Sequence, residues 1–131
     1  MEEKTICKDN KVLIVEDEKP VRSALVKKFS VCGFQVSEAK NGEEGLRAIE
    51  KEKPNLVLVD VKMPVMNGID MIKKFKEEEG LKDLPFIVLT NDATAETMTD
   101  VLSVGGNHYF IKSDTPIEAI VSKVKMMLNC E

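Results

Sequence analysis

Short runs of apolar residues alternate along the chain with segments in which apolar residues recur every three or four positions. Three runs, VLIV at 12–15, LVLV at 56–59 and FIVL at 86–89, contain no polar side chain. Such runs are typical of parallel strands buried on both faces, and the periodic segments are typical of amphipathic helices. The alternation predicts a doubly wound α/β fold, (βα)5, with a five-stranded parallel sheet in the order 2-1-3-4-5. The predicted strands are Lys11–Val15, Phe34–Ala39, Leu56–Asp60, Phe86–Thr90 and His108–Lys112.

Turn-forming residues and apolar stripes locate the helices between these strands. The first helix is predicted to begin near Pro20, because proline suits a first helical turn, and to end before Gly33. The sequence Thr115-Pro116-Ile117-Glu118 matches a capping box with proline at the first helical position, and it predicts the start of the last helix. The other helices are predicted over 42–53, around 69–75 and over 93–104. The side chains expected to face the core include Leu25, Phe29, Ile69, Ile72, Phe75, Met98, Val101, Leu102, Ile117, Ile120, Val121, Val124 and Leu128.

The composition indicates one globular domain, with a partner expected to be a protein rather than a nucleic acid. The 131 residues suit a single domain, which we place at residues 11–131 after a polar N-terminal extension at 1–10. The apolar runs are too short to cross a bilayer, and the first ten residues lack the apolar core of an export signal, so we expect a cytoplasmic protein without a membrane partner. A net charge of −4, with dispersed basic residues, argues against nucleic-acid binding.

The three cysteines give no sign of a metal or redox motif. Cys7, Cys32 and Cys130 are far apart and lack the CxxC spacing of zinc and thiol-exchange sites. In a cytoplasmic protein they are therefore expected to be reduced structural thiols.

Polar residues follow the apolar runs at the point where each predicted strand ends. Glu16 and Asp17 follow the first strand, Asp60 ends the third, Thr90 ends the fourth and Lys112 ends the fifth. Because the carboxyl ends of parallel strands share one edge, the three acids are expected to meet near the switch point between strands one and three. Crowded carboxylates need a cation, and Mg²⁺ suits a site of oxygen ligands that shares a phosphate oxygen. The pattern therefore predicts a phosphoryl-binding site with Asp60 as the nucleophile.

In order and spacing, the segments VLIVEDE, LVLVDVKMPVMNG, FIVLT and YFIK resemble the receiver domains of two-component response regulators, including the single-domain chemotaxis type. The resemblance extends from about Lys11 to Leu128 and implies a flavodoxin-like fold. It also implies that a sensor histidine kinase or a histidine phosphotransfer protein phosphorylates the chain. The signal would then pass to a target protein through a face made by helix four, strand five and helix five, in a monomer or a phosphorylation-dependent homodimer. The implied roles are Asp60 as phosphoacceptor, Glu16, Asp17, Asp60 and the backbone carbonyl of Lys62 as Mg²⁺ ligands, Lys112 and Thr90 as phosphate-contacting residues, and Thr90 with Tyr109 as the switch pair.

Several positions depart from the family's usual pattern. Ser113 follows Lys112 where the family usually has a proline in a cis peptide bond, so a trans bond is expected here. Asn91 stands where alanine or glycine is common, and Glu16 replaces the commoner aspartate. Lys62 and Asp92 flank the path of an attacking water molecule.

Other functions agree less well with the same residues. Glu16 and Asp17 taken alone suit a helix cap, because acids are favoured at helix N-termini. A dehalogenase-type aspartyl-phosphate phosphatase would need a second aspartate where Lys62 stands, so we expect no enzyme in the usual sense. The acidic segment after strand one would repel a flavin phosphate. A pseudo-receiver that binds proteins without being phosphorylated is the main alternative.

Overall fold

The computed structural model describes residues 7–106 and 108–131, and within these ranges the predicted five-stranded parallel sheet is present. The order β2-β1-β3-β4-β5 confirms the prediction and leaves the polar strand β2 at an edge. The bounds predicted for β1, β3 and β4 are confirmed, β2 begins one residue later than predicted, and β5 is shorter at both ends. The strands are β1 Lys11–Val15, β2 Gln35–Ala39, β3 Leu56–Asp60, β4 Phe86–Thr90 and β5 Tyr109–Ile111.

Helices connect the strands and end at residues that cannot continue them. Gly33, with φ of 100°, follows the first helix, and Lys53, with φ of 50°, ends the second just before Pro54. None of the helices in the two described ranges is both long and apolar enough to cross a bilayer. The helices are α1 Lys19–Val31, α2 Gly42–Glu52, α3 Gly68–Lys76, α4 Ala95–Ser103 and α5 Ile117–Leu128, and 3-10 turns occupy Cys7–Asp9, Glu79–Leu81 and Lys112–Asp114.

The helices cover both faces of the sheet and enclose two apolar cores. Successive residues of β1 point to opposite faces, so Leu13 contributes to the core under α2, α3 and α4, and Ile14 to the core under α1 and α5. Because α1, which follows β1, packs on one face and α3, which follows β3, packs on the other, the loops diverge at the carboxyl ends of these two neighbouring strands. Such a point in a parallel sheet is where ligands bind.

Two predictions about the helices are wrong. Leu102 of α4 is 66% exposed, because the buried side of α4 is centred on Val101 and Thr97. Thr97 is polar and was therefore not part of the predicted apolar stripe. The capping box at the start of α5 does not form. Pro116 is the N-cap residue rather than the first helical residue, and the Thr115 hydroxyl donates to the carbonyl of Ile111 at 2.9 Å.

The expectation of three reduced thiols is also wrong. Cys7 and Cys130 form a buried disulfide with their Cα atoms 5.1 Å apart, and only Cys32 of the three is free. The Cys7 N–H also donates to the carbonyl of Glu131 at 3.3 Å. The two ends of the described chain are thus joined, although 123 positions separate the cysteines in the sequence. The first six residues of the predicted N-terminal extension lie outside the described residues.

Candidate functional site

Three carboxylates and one ammonium group meet at the carboxyl edge of the sheet. Glu16 and Asp17 follow β1 and Asp60 ends β3, and one oxygen from each lies within 4.8 Å of the others. Lys112 follows β5, and its Nζ donates to both carboxylate oxygens of Glu16, at 3.1 and 3.2 Å, and to Oδ2 of Asp60 at 3.1 Å. The structure therefore brings together the acids and the lysine that the strand ends indicated.

Burial and mutual repulsion alter the protonation of this cluster. Glu16 is 1% exposed and Asp60 5%. Burial, with the nearby charge of Asp60, raises the pKa of Glu16 to about 7, although Lys112 acts in the opposite direction. Burial also raises the pKa of Asp60, again against the effect of Lys112. For Lys112 itself, burial lowers the pKa, but the two carboxylates outweigh this effect and raise it. The ammonium is therefore charged at neutral pH, and the Glu16 carboxyl holds a proton for part of the time.

The loop after β3 presses closely against Asp60. A side chain at Gly68 would collide with the Asp60 carbonyl, so only glycine fits there, and the Gly68 N–H donates to the Val61 carbonyl at 2.9 Å. The Asn67 side chain then caps α3 by accepting from the Asp70 N–H. These contacts fix the strand end that carries Asp60.

Arg22 of α1 fixes the acidic loop after β1, and the sequence analysis did not single it out. Its Nη1 donates to the carbonyl of Glu16 at 2.8 Å and to that of Asp17 at 3.5 Å, and its Nε pairs with Glu38 at the end of β2. The N-cap of α1 is Glu18, whose side chain makes no capping hydrogen bond. Glu16 instead directs its carboxylate to Lys112 and to the Glu18 N–H, so helix capping does not account for it.

Thr90 is buried at the end of β4, and a polar network holds the loop that follows it. Its Oγ1 accepts from the N–H of Asp92 at 3.0 Å. The Asp92 carboxylate accepts from the hydroxyl of Thr97 at 2.8 Å and from the N–H of Thr94 at 3.1 Å, and it pairs with Lys62 Nζ at 3.0 Å. The Thr97 hydroxyl and the Lys62 ammonium hold the pKa of Asp92 well below its usual range. An ion pair thus joins the loop after β3 to the loop after β4.

Two of the residues that depart from the family pattern contact each other. The Asn91 amide oxygen accepts from the Ser113 N–H at 2.8 Å, a bond that proline at position 113 could not donate. All peptide bonds of the described residues are trans, which confirms the expectation for the bond between Lys112 and Ser113. Asn91 therefore anchors the turn that carries Lys112.

Tyr109 lies at the start of β5, in register with Val88 of β4, while Thr90 is in register with Ile111. Because alternate residues of a strand share a face, Thr90 and Tyr109 belong to the same side of the sheet. Tyr109 is 46% exposed, and the exposed Leu102 lies on the neighbouring helix α4.

The donor set of this site suits a hard divalent cation. Every available ligand atom is a carboxylate oxygen, and neither thiol nor imidazole takes part in the cluster. Burial, with the nearby charge of Asp60, raises the pKa of Glu16, and a bound cation would favour the charged carboxylate instead. Glu16, Asp17 and Asp60 therefore form an acidic cluster that can hold a metal ion.

Comparison with known proteins agrees with this geometry. A family model for the response regulator receiver domain matches residues 12–125. The chain belongs to the response regulator receiver domain family. A phosphoacceptor role is general to this family, whose members are receivers of phosphoryl groups rather than enzymes in the usual sense.

The individual matches cover most of this chain but only part of several relatives. The phosphate regulon transcriptional regulatory protein PhoB of Pseudomonas aeruginosa is 32% identical over 117 residues, which cover 89% of this chain and 51% of PhoB. Regulatory protein AtoC of Escherichia coli is 37% identical over 79% of this chain and 22% of its own length. The chain thus spans about half, or less, of the length of the curated relatives it matches.

Solved receiver structures match this receiver domain over nearly their full length. A CheY-like receiver domain protein from Methanospirillum hungatei superimposes with a TM-score of 0.83 at 28% identity, covering 91% of this chain and 93% of that one. Chemotaxis protein CheY4 of Vibrio cholerae gives a TM-score of 0.83 at 26% identity, covering 91% and 98%. The sheet order and its flanking helices are therefore those of the CheY-like, flavodoxin-type fold.

Proposed function

We propose that this receiver domain acts as a stand-alone response regulator that accepts a phosphoryl group on Asp60. The supporting observation is the position of Asp60, which lies 5% exposed at the strand end, with Lys112 Nζ 3.1 Å from its Oδ2 and two further acids beside it. Phosphoryl transfer requires in-line positioning and charge neutralisation more than acid–base chemistry. Lys112 and a cation held by the acids would supply the neutralisation, and the fixed end of β3 would hold the acceptor oxygen in place.

In the proposed step, a carboxylate oxygen of Asp60 attacks the phosphorus of a phosphohistidine. The P–N bond breaks, the imidazole of the donor regains its ring nitrogen electrons, and an acyl phosphate forms on Asp60. The proposed donor is a sensor histidine kinase or a histidine phosphotransfer protein. Lys112 exchanges its bond with the Asp60 carboxylate for one with a phosphoryl oxygen, and Thr90 donates its hydroxyl to another.

Glu16, Asp17, Asp60 and the backbone carbonyl of Lys62 are proposed to hold Mg²⁺ at this site. When bound, the ion neutralises charge on the phosphoryl oxygens as it develops. Lys112, hydrogen-bonded to Oδ2 of Asp60, would orient the acceptor carboxylate.

The output is proposed to pass through the face formed by α4, β5 and α5. Thr90 would leave its bond with the Asp92 N–H to reach the phosphoryl group, and Tyr109 would then turn toward the space that Thr90 vacates on the same side of the sheet. Exposed Leu102 and Tyr109 supply apolar contact area for a target protein. The change is a shift between two conformers that the phosphoryl group favours differently.

Four further parts of the proposal concern the chain as a whole. We place the domain at residues 11–131, after an extension at 1–10. We expect a cytoplasmic protein without nucleic-acid or membrane partners, although a disulfide is unusual in that compartment. The protein is expected to be monomeric or to dimerise on phosphorylation.

Immunodetection in extracts of the source organism tests the stand-alone state, because a band near the 14.6 kDa of this chain supports it and a much larger band contradicts it.

Mass spectrometry after incubation with acetyl phosphate tests the phosphoacceptor. Wild-type protein with Mg²⁺ should gain the mass of one phosphoryl group on Asp60, and Asp60→Asn should gain none. Equal labelling of the variant would exclude Asp60. No labelling of either protein would favour the pseudo-receiver alternative, whereas repeated turnover of a simple phosphate ester would favour the phosphatase.

A further inference from the structure

Arg22 lies beneath the loop that carries Glu16 and Asp17, without belonging to the acidic cluster itself. Its side chain is 13% exposed, although arginine is usually a surface residue. The contacts to the loop are hydrogen bonds to two successive main-chain carbonyls. Arg22 therefore acts on the two acidic residues through their main-chain carbonyls rather than through their carboxylates.

The acidic loop is held from two sides. The Glu16 N–H donates to the carbonyl of Ala39 in the edge strand β2 at 3.0 Å, and the Glu16 carbonyl accepts from Arg22 at 2.8 Å. The same β2 segment supplies Glu38, which pairs with the Arg22 Nε at 2.9 Å. Both peptide groups that flank Glu16 are thus fixed relative to the sheet, and the direction of its side chain is fixed with them.

The guanidinium group is suited to this arrangement in a way that an ammonium is not. Its planar fork can point one nitrogen at the loop carbonyls while another nitrogen meets Glu38. Because Glu38 offsets the positive charge of Arg22, the effect of Arg22 on the cluster should be chiefly geometric rather than electrostatic.

We infer that Arg22 is a positioning residue for the acidic site, holding the carbonyls of Glu16 and Asp17 so that their carboxylates are arranged for a divalent cation. The inference rests on the proposed Mg²⁺-dependent function. Groups that orient metal ligands without touching the metal commonly change its affinity by about 10- to 100-fold when they are removed.

Calorimetric titration of the intact, metal-free protein with Mg²⁺ tests this inference directly. Arg22→Met should weaken Mg²⁺ binding about tenfold or more. Arg22→Lys should weaken it by a smaller factor, roughly threefold or more, because one ammonium cannot serve both the carbonyls and Glu38. The matched control is Arg47→Met, which removes an arginine paired with Glu43 on the exposed side of α2 and should leave the affinity within about twofold of wild type.

A second readout separates positioning from a general loss of stability. Labelling by acetyl phosphate at increasing Mg²⁺ should require more Mg²⁺ for half-maximal rate in Arg22→Met, but the maximal rate should be restored at saturation. A merely structural role would lower the melting temperature and leave the Mg²⁺ dependence unchanged. If Arg22→Met does not fold, Arg22→Lys decides the question.

Wild-type affinity in the folded Arg22 variants would overturn the inference and leave the proposed function intact. Failure of the wild-type protein both to bind Mg²⁺ and to be labelled would instead refute the proposed function, and the inference with it.

Discussion

The disulfide between Cys7 and Cys130 should contribute a large part of the stability of the oxidised protein. The crosslink closes a loop over a sequence separation of 123. In the chain-entropy description, a loop of that size reduces the entropy of the unfolded chain by an amount equivalent to about 5 kcal/mol at 25 °C. That value is comparable with the lower end of the total stability of ordinary domains. With an unfolding entropy of roughly 2.1 cal/mol/K per residue, the melting temperature should change by about 15–20 °C.

The assay is thermal and denaturant unfolding followed by far-ultraviolet circular dichroism, with and without a non-thiol reductant. Reduction should lower the melting temperature of the wild type. Cys7→Ser and Cys130→Ser should each unfold near the temperature of the reduced wild type and should respond little to the reductant. Cys32→Ser is the matched control, since Cys32 is the free thiol, and it should keep the full difference between oxidised and reduced protein. The denaturant slope should also rise on reduction, because an unlinked unfolded chain exposes more surface.

Thiol titration of the oxidised protein provides the decisive check. After denaturation without reductant, it should show one reactive thiol per chain. Three titrating thiols in protein prepared under oxidising conditions, or a difference below about 1 kcal/mol between the oxidised and reduced forms, would refute the reasoning.

The remaining predictions concern the acidic site. Asp60→Asn should stabilise the metal-free protein, because it removes a repulsion of roughly 3 kcal/mol between two carboxylates at this separation. The net gain should be smaller than that value, because Lys112 also loses an anionic partner. A lower melting temperature in the variant would contradict this prediction. Glu16 has a higher pKa in the folded protein, about 7, than its ordinary 4.5, so the folded state binds more protons between these values. The contribution of Glu16 to the stability of the metal-free protein should therefore be fully present below pH 4.5 and be lost as the pH rises through 7, and Glu16→Gln should remove this part of the pH dependence in denaturant unfolding. Because a protonated Glu16 cannot bind the cation well, Mg²⁺ affinity measured by calorimetry should weaken as the pH falls below 7, and binding should release protons. An affinity that does not change with pH would argue against Glu16 as a ligand. Asn91→Ala should lower the free energy of unfolding by roughly 0.5–1 kcal/mol, because it removes the hydrogen bond from the Ser113 N–H. In a Ser113→Pro background, where that N–H is absent, the same substitution should have no effect on stability. Equal losses in both backgrounds would show that the hydrogen bond contributes nothing.

The fold could be predicted from the sequence because its main determinants are local. Leu56–Val59 is an uninterrupted apolar run followed by a carboxylate, so both the burial of β3 and the placement of Asp60 at its end follow from neighbouring residues. The polar composition of β2 likewise placed it at an edge. Glu16, Asp17, Asp60 and Lys112 come together because parallel strands place their carboxyl ends on one side of the sheet.

Features that depend on a distant partner could not be predicted in this way. Arg22 looks like any polar residue of α1, and only the folded chain brings it beneath the loop after β1 and beside Glu38. The pairing of Cys7 with Cys130 depends equally on where the two ends of the chain arrive.

Local competition accounts for the failed capping box. The Thr115 hydroxyl has two possible partners, and the carbonyl of Ile111 is the one it bonds. The sequence shows the motif but not the competitor.

The ion pair between Lys62 and Asp92 makes the mouth of the site sensitive to dissolved salt. The Lys62 side chain is 76% exposed, so dissolved ions have access to the ion pair. Exposed pairs of this kind contribute little to stability and weaken as added salt shortens the Debye length, which is roughly 8 Å at physiological ionic strength. The two loops that the pair joins follow Asp60 at the end of β3 and Thr90 at the end of β4. How firmly they are held together is therefore a property of the surrounding electrolyte as well as of the chain.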